Sequence, residues 1–328
     1  MARTGKVTVV GAGAQGAAIA HRLAERDVLE TVVLTDAIEG RAEGAALDIN
    51  HCRPLTGHRT RVLGVTCGPD GDDYRDTAGS DLVVLAAGRR PEPGGSRAEH
   101  LATNAALVRE MVAPIAELSP DAVLLVVANP VAELTAVAHR ASGFPASRVI
   151  GQSTALDTAR FTHFLAEELD VEPGLVRAVA LGWHGEDLIP AISACEVDGR
   201  PLDELLSCDE LEELVERTRY AGPELVSLLG GGGGLRAPAV AAAAVALAVI
   251  EDAGRVLPVC AWVDGRFGID GVWLGVQAEL GAQGVNKVVE TPLAPAELAA
   301  LRTAADAART AQRLVDPTAQ SPAQSMAR

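Results

Sequence analysis

Lys6-Val-Thr-Val-Val10 runs directly into Gly11-Ala-Gly13-Ala-Gln-Gly16, and this junction constrains the fold more than any other stretch. The β-branched run suits a buried parallel strand. Ile19, Leu23 and the alanines around them continue as a helical pattern. Strand, GxGxxG and helix in that order form a dinucleotide-binding turn. Gly11 permits the tight turn, Gly13 lets a pyrophosphate approach the backbone, and Gly16 lets helix pack on strand. The helix N-terminus adds N–H donors and partial positive charge. A lone GxGxxG is weak, but here a second strand, Thr31-Val-Val-Leu-Thr35, leads to Asp36. That is about twenty residues past the glycines, where an acid meets the adenosine ribose hydroxyls. A carboxylate there repels a 2′-phosphate, which favours NAD over NADP. Arg41, close by, has the character of an exposed surface arginine.

Further short apolar strands are expected at Arg61–Thr66, 81–87 and 122–128, with helical segments near 40–52 and 98–118. The alternation predicts a Rossmann-type, doubly wound parallel sheet in the α/β class. Ligands in such sheets bind past the strand C-terminal ends. Asp36, the loop 88–97 and Asn129-Pro130 occupy such ends. The loop is rich in glycine, proline and arginine, which suits either a lid carrying a cation or a solvated surface turn. Asn129 either caps the helix Val131–Ser142 or faces the cofactor.

In the second half, Ile150-Gly-Gln-Ser-Thr-Ala-Leu-Asp157-Thr-Ala-Arg160-Phe161 passes from strand to helix near Thr154. Asp157 and Arg160 are three apart and share a helix face. They suit a proton-transfer partner and an anion grip. They equally suit a capping box at Thr154-Ala-Leu-Asp157 and an ordinary surface ion pair. Gly182-Trp-His184-Gly185 suggests a glycine-flanked turn that presents a histidine, which suits either a functional ring or a structural or exposed one. Beyond it come a hairpin over 191–202, a helix over 211–229 interrupted at Gly222-Pro223, and a five-glycine run at 230–234. A buried helix follows over 237–253. Strands at Arg255–Val263, 271–277 and 285–290 imply a second sheet, and 294–314 a final helix. The chain divides into 1–150, a dinucleotide-binding domain, 151–316, an α+β substrate domain, and 317–328, a loose tail.

A length of 328 residues suits two domains. The net charge of −16 argues against nucleic acid or an anionic membrane as partner. An anionic substrate then needs a locally basic site. Cys52, Cys67, Cys195, Cys208 and Cys260 form no CxxC pair, so neither a zinc site nor a disulfide framework is indicated. Scattered thiols, and no signal-peptide pattern at the N-terminus, fit a reducing cytoplasm. The apolar stretch 237–250 is too short and alanine-rich to span a membrane.

With these motifs in order, the chain resembles the NAD-dependent lactate/malate dehydrogenase family from Lys6 to Leu314. The markers are Gly11 to Gly16, Asp36, Gly94-Gly-Ser-Arg97 with Asn104, Val127-Ala-Asn-Pro-Val131, Arg148-Val-Ile-Gly, Leu156-Asp-Thr-Ala-Arg-Phe161, Gly182-Trp-His-Gly185, Ala237-Pro238 and Arg255-Val-Leu-Pro258. The resemblance implies NAD as cofactor, a small anionic 2-oxo/2-hydroxy acid as substrate and a homodimer or homotetramer. It implies that His184 is the acid/base and Asp157 its orienting partner. Arg160 would grip the substrate carboxylate and Arg97 would polarise the carbonyl. Asn129 would contact nicotinamide and substrate, with Asn104 on the cofactor side.

The sequence departs from the family at the positions that set specificity. Pro91 stands where malate dehydrogenases typically carry arginine and lactate dehydrogenases glutamine, and Arg90 is adjacent. Gly233 stands where serine, threonine or alanine is usual, near an unusual Arg236. Arg90 or Arg236 meeting a second negative group makes malate/oxaloacetate the leading pair. Lactate/pyruvate, a 2-oxo acid with a distal sulfonate or phosphonate, an NAD-binding sensor without turnover and an NAD-dependent glycosidase are the alternatives.

Overall fold

The structure, a computed structural model, describes residues 5–67, 74–89, 94–185 and 187–315. β1 (Lys6–Val10) is buried from its second residue onward, as its β-branched run requires. The chain continues through α1 (Ala14–Glu25), β2 (Thr31–Asp36), α2 (Arg41–Thr56), β3 (Arg61–Thr66), β4 (Leu82–Leu85), α3 (Arg97–Leu118), β5 (Val123–Val126), α4 (Val131–Ser142) and β6 (Val149–Gly151). These six strands lie parallel in the order β3-β2-β1-β4-β5-β6. The order reverses between β1 and β4, so the crevice past their C-terminal ends is the natural ligand position. β4 and β5 are shorter than the sequence pattern. Val127 N–H and Ala128 N–H both donate to the Leu85 carbonyl, which ends the regular ladder.

The remaining elements are α5 (Thr154–Glu168), β7 (Val176–Arg177), β8 (Ala180–Gly182), β9 (Leu188–Pro190), β10 (Glu196–Val197), β11 (Arg200–Pro201), α6 (Cys208–Leu228), α7 (Arg236–Ile250), β12 (Arg255–Val263), β13 (Val272–Gly281), β14 (Gly284–Val288) and α8 (Pro295–Leu314). The expected second sheet from the 255–290 region is corrected. β12, β13 and β14 instead extend the first sheet, which reaches eleven strands and ends in β8 and β9. The joint is one antiparallel pair, Cys260 opposite Gly151. A Cβ on Gly151 would lie 2.8 Å from Cys260 Cβ and 2.5 Å from Thr135 Oγ1. Only glycine lets the strands meet. The separate second sheet is small, β11-β10-β7. Its hairpin turns at Asp198 (φ 49°) and Gly199 (φ 76°), the positive-φ pair of a tight hairpin.

The expected break at Gly222-Pro223 is also absent, since α6 runs unbroken through Pro223. A proline costs one helical N–H bond. The helix starts firmly, with Ser207 and Glu210 in a reciprocal capping box.

Side chains alternate across β4. Leu82 and Val84 join a core with Ile19, Leu23 and the alanine face of α7, while Val83 and Leu85 join Val108, Val112, Ile115 and Leu134 from α3 and α4. Helices thus cover both faces of the parallel half. Among the described residues, no helix is long and apolar enough to cross a membrane. Arg90, Pro91 and the expected tail 317–328 lie outside the described residues.

Candidate functional site

The glycine turn has the geometry that its spacing predicts. Gly11 sits at φ 103°, and a Cβ there would come within 2.6 Å of the Ala87 backbone N. A Cβ on Gly16 would collide with the Gly11 carbonyl, whereas one on Gly13 would meet nothing within 4 Å. Gly11 and Gly16 therefore serve packing, and Gly13 leaves open ground. Gly13 is also the N-cap of α1 and supplies no side-chain cap, so the first-turn N–H groups stay available for an anion. At the end of β2, Asp36 accepts from Ala12 N–H at 2.8 Å and from Ile38 N–H at 2.9 Å. Open glycine ground, an uncapped helix N-terminus and a carboxylate fixed at the end of the next strand fit a dinucleotide.

Past β5, Asn129 is exposed and precedes a cis bond to Pro130. The Asn104 side chain is buried and fully engaged. Its amide N donates to the Asn129 carbonyl at 2.9 Å and to the Arg89 carbonyl at 3.2 Å, and its Oδ1 accepts from Arg89 N–H at 2.8 Å. Asn104 thus ties two crevice loops together, with the His100 ring beside it.

α5 brings the acid and the arginine to the same place as the histidine turn. Asp157 is 1% exposed. Its Oδ2 lies 2.7 Å from His184 Nδ1, and its Oδ1 accepts from Arg160 at 3.2 Å. The carboxylate is thus shared between an imidazole from the β8–β9 turn and a guanidinium one helical turn away. The capping box at Thr154 is corrected. Ser153 holds the cap position without a side-chain bond, and the Thr154 hydroxyl is buried with no partner. Asp157 is turned away toward His184, so it does not reach back to the helix start.

Arg97 opens α3 from the opposite wall. The Ser96–Glu99 capping box fixes that start. Its guanidinium carbon stands 5.7 Å from the centre of the Trp183 ring, beside His184, within cation–π range. Trp183 is therefore a ledge for Arg97. The S-x-x-E signal was readable in Ser96-Arg-Ala-Glu99, and sequence reasoning missed it. It missed Glu133 too, a carboxylate in α4 that is 2% exposed with one oxygen unpartnered. Burial pushes its carboxyl above the usual range, against smaller opposing pulls from its own backbone N–H and from nearby Arg97. Gly233 and Arg236 lie exposed at the entry to α7. Among the described residues, no hydrogen bond or ion pair joins them to Asp157, Arg160 or His184.

Two family models match the chain. Lactate/malate dehydrogenase, NAD binding domain, covers residues 5–151. Lactate/malate dehydrogenase, alpha/beta C-terminal domain, covers 154–312. A malate dehydrogenase of Salinibacter ruber is 42% identical over 300 residues, spanning 92% of this chain and 93% of its own. One from a Geobacillus species is 39% identical, spanning 95% and 98%. The solved Salinibacter ruber malate dehydrogenase superposes with a TM-score of 0.88 at 40% identity, covering 94% of this chain and 97% of that one. A Cryptosporidium parvum lactate dehydrogenase, solved with lactic acid and nicotinamide adenine dinucleotide, gives 0.90 at 30% identity, covering 97% and 99%.

Proposed function

Because the chain belongs to the lactate/malate dehydrogenase family and is an NAD-dependent 2-hydroxy acid dehydrogenase, we propose that it interconverts malate and oxaloacetate at the Asp157–Arg160–His184 cluster. The 2.7 Å contact from His184 Nδ1 to buried Asp157 carries the reading. With Nδ1–H donated to the carboxylate, Nε2 is the ring atom left to exchange a proton with substrate. Arg160 spends one N–H on Asp157 and keeps a fork for the substrate C1 carboxylate. Arg97 polarises the C2 carbonyl oxygen, and Nε2–H gives that oxygen its proton during reduction. NADH, when bound, supplies the hydride to C2. Gly13 and the first-turn N–H groups of α1 would hold its pyrophosphate in the turn that Gly11 and Gly16 shape, Asp36 would take the ribose, and Asn129 would meet nicotinamide and substrate. Asn104 acts through the Asn129 and Arg89 carbonyls.

The substrate's distal carboxylate is assigned to Arg90 or Arg236, with Gly233 leaving room. The support comes from the sequence: Arg90 adjoins Pro91 in the stretch before Arg97, and Arg236 precedes Ala237-Pro238, in a chain of net charge −16. We divide the chain into a cofactor domain at 1–150, a substrate domain at 151–316 and a tail at 317–328. We place it as a homodimer or homotetramer in a reducing cytoplasm, which its five free cysteines suit. The test is kcat/KM for oxaloacetate, pyruvate and 2-oxo acids with distal sulfonate or phosphonate, with NADH as reductant. Oxaloacetate should lead, and a preference for pyruvate would overturn the dicarboxylate assignment. Tight NADH binding with no turnover on any of them would favour a sensor.

A further inference from the structure

Where α4, β12, β13 and α8 meet, a cleft of about 300 Å³ opens on the surface. Its floor is aromatic. The Trp273 ring is buried, and the His139 and Trp262 rings lie 5.4 Å and 5.6 Å from it, centre to centre. Both amide atoms of buried Gln312 bond the Trp273 backbone, which fixes that floor. Burial and the neighbouring Arg140 hold the His139 imidazole below its ordinary pKa, so the ring is neutral near pH 7. Trp262 stays 37% exposed at the lip. Gly271 beside it puts no side chain against the indole, where a Cβ would come to 3.8 Å. Among the described residues, three arginines line the cleft, Arg140, Arg309 and Arg313, and no carboxylate does. Arg309 is oriented by Asp306 and by the Asp270 carbonyl, and Arg140 reaches the Gln312 carbonyl at 3.3 Å. The Asp270 carboxylate engages the Gly265 N–H. Arg313 is exposed. Arg140 and Arg313 stand in the last turns of α4 and α8, where a cation offsets the helix dipole. Against the Asp306 carboxylate and about half a negative charge at each helix end, three guanidiniums leave the lining positive. α4 is 12 residues long, about 18 Å at its helical rise, and Asn129-Pro130 stand at its other end. The cleft therefore lies outside the coenzyme and substrate crevice.

We propose that this cleft is a second small-molecule site, which takes a planar aromatic carboxylate. The ligand ring stacks on Trp262, and its carboxylate pairs with the Arg313 and Arg309 guanidiniums. An indole face supplies stacking area, and arginine meets a carboxylate with two parallel N–H bonds. The volume stands at the small end of ligand sites, which suits one or two fused rings. Helix-end charge compensation accounts for Arg140 and Arg313, but not for a half-exposed indole set between them in a chain of net charge −16. The site is independent of the substrate assignment and of the dinucleotide turn.

Isothermal titration calorimetry of the full chain, saturated with NADH, tests the site with 2-naphthoate as probe. Two comparators separate ring from charge: 2-naphthamide keeps the ring without the charge, and cyclohexanecarboxylate keeps the charge without the aromatic face. A ligand of this size in a half-open cleft should bind with a Kd of about 0.1–1 mM. Loss of a charge-assisted pair at an exposed site corresponds to about a tenfold change, so 2-naphthamide should bind about tenfold more weakly. Arg313→Glu should weaken 2-naphthoate by at least as much. Trp262→Leu should weaken it by about three- to tenfold through lost stacking. NADH affinity should be unchanged in both variants, which checks that each is folded. Should Trp262→Leu not fold, Arg313→Glu, a change at an exposed position, still decides with the two comparators. No binding of 2-naphthoate up to about ten times the expected Kd overturns the proposal. So does binding that both variants leave intact, which would place the probe at the substrate site. Equal affinity for cyclohexanecarboxylate and 2-naphthoate overturns the aromatic class.

Discussion

At the scale of single residues, the site turns on how one buried carboxylate is shared. Asp157 accepts from both His184 and Arg160. Asparagine in its place keeps the volume but offers one acceptor and one donor. Asp157→Asn should therefore lower kcat by about 10²–10⁴-fold, the range associated with general acid–base catalysis. NADH titration should still show binding, since the glycine turn is untouched. A kcat near wild type would remove Asp157 from the mechanism. Glu133 gives a prediction of another kind. Its carboxyl is raised by burial, so the native state holds that proton to higher pH than the unfolded chain does. Stability is then complete below the ordinary carboxylate range and is lost as pH rises through the raised value. Glu133→Gln stays neutral throughout. The thermal midpoint of the variant should gain on wild type as pH climbs from about 5 to about 8. Parallel midpoint curves would show that the buried oxygen is satisfied in solution.

At the scale of elements, the parallel half was legible because its strands are short β-branched runs between glycine or polar turns. The meeting of Asp157, Arg160 and His184 was legible because the first two share one face of α5 and the third lies in a glycine-flanked turn. The fate of the 255–290 strands was not legible. Their pattern shows a sheet, but their pairing partner depends on Gly151, whose missing side chain has meaning only once Cys260 lies opposite. The Thr154 capping box failed for a related reason. A local motif lost its acid to a histidine 27 residues away. Pro223 was overweighted, since packing of α6 outweighs one absent N–H bond. The Gly151 joint can be tested. Gly151→Ala forces a methyl against Cys260 and Thr135, an overpacking that costs about 1–3 kcal/mol. A urea midpoint should fall accordingly. Pairing it with Cys260→Gly should recover part of the loss, because the Cys260 Cβ at 2.8 Å is one of the two obstructions. No recovery would place the strain at Thr135 alone.

At the scale of the whole molecule, one hydrogen-bonded sheet runs through both halves, from β3 at the edge of the parallel half to β9 beyond the histidine turn. The groups assigned to the coenzyme come from before residue 130, and the proposed acid–histidine pair comes from after residue 150. A reaction between them needs the two halves to keep register, and the shared sheet with its packed faces supplies that constraint. The consequence is cooperative unfolding. All three tryptophans, Trp183, Trp262 and Trp273, lie in the second half, and Trp273 is buried. Tryptophan fluorescence therefore reports that half, while far-ultraviolet circular dichroism reports both. A ligand that binds only the native state stabilises it by about 2.7 kcal/mol at a hundred times its Kd. NAD⁺ at that excess, chosen because it does not absorb tryptophan emission, should raise the fluorescence and dichroism midpoints together in urea. The first half binds most of the ligand, yet the second should report the full shift. If dichroism splits into two transitions and NAD⁺ moves only the one that fluorescence misses, the joint at Gly151 and Cys260 does not couple the halves. The alignment of acid, histidine and coenzyme would then have to come from the ligands themselves.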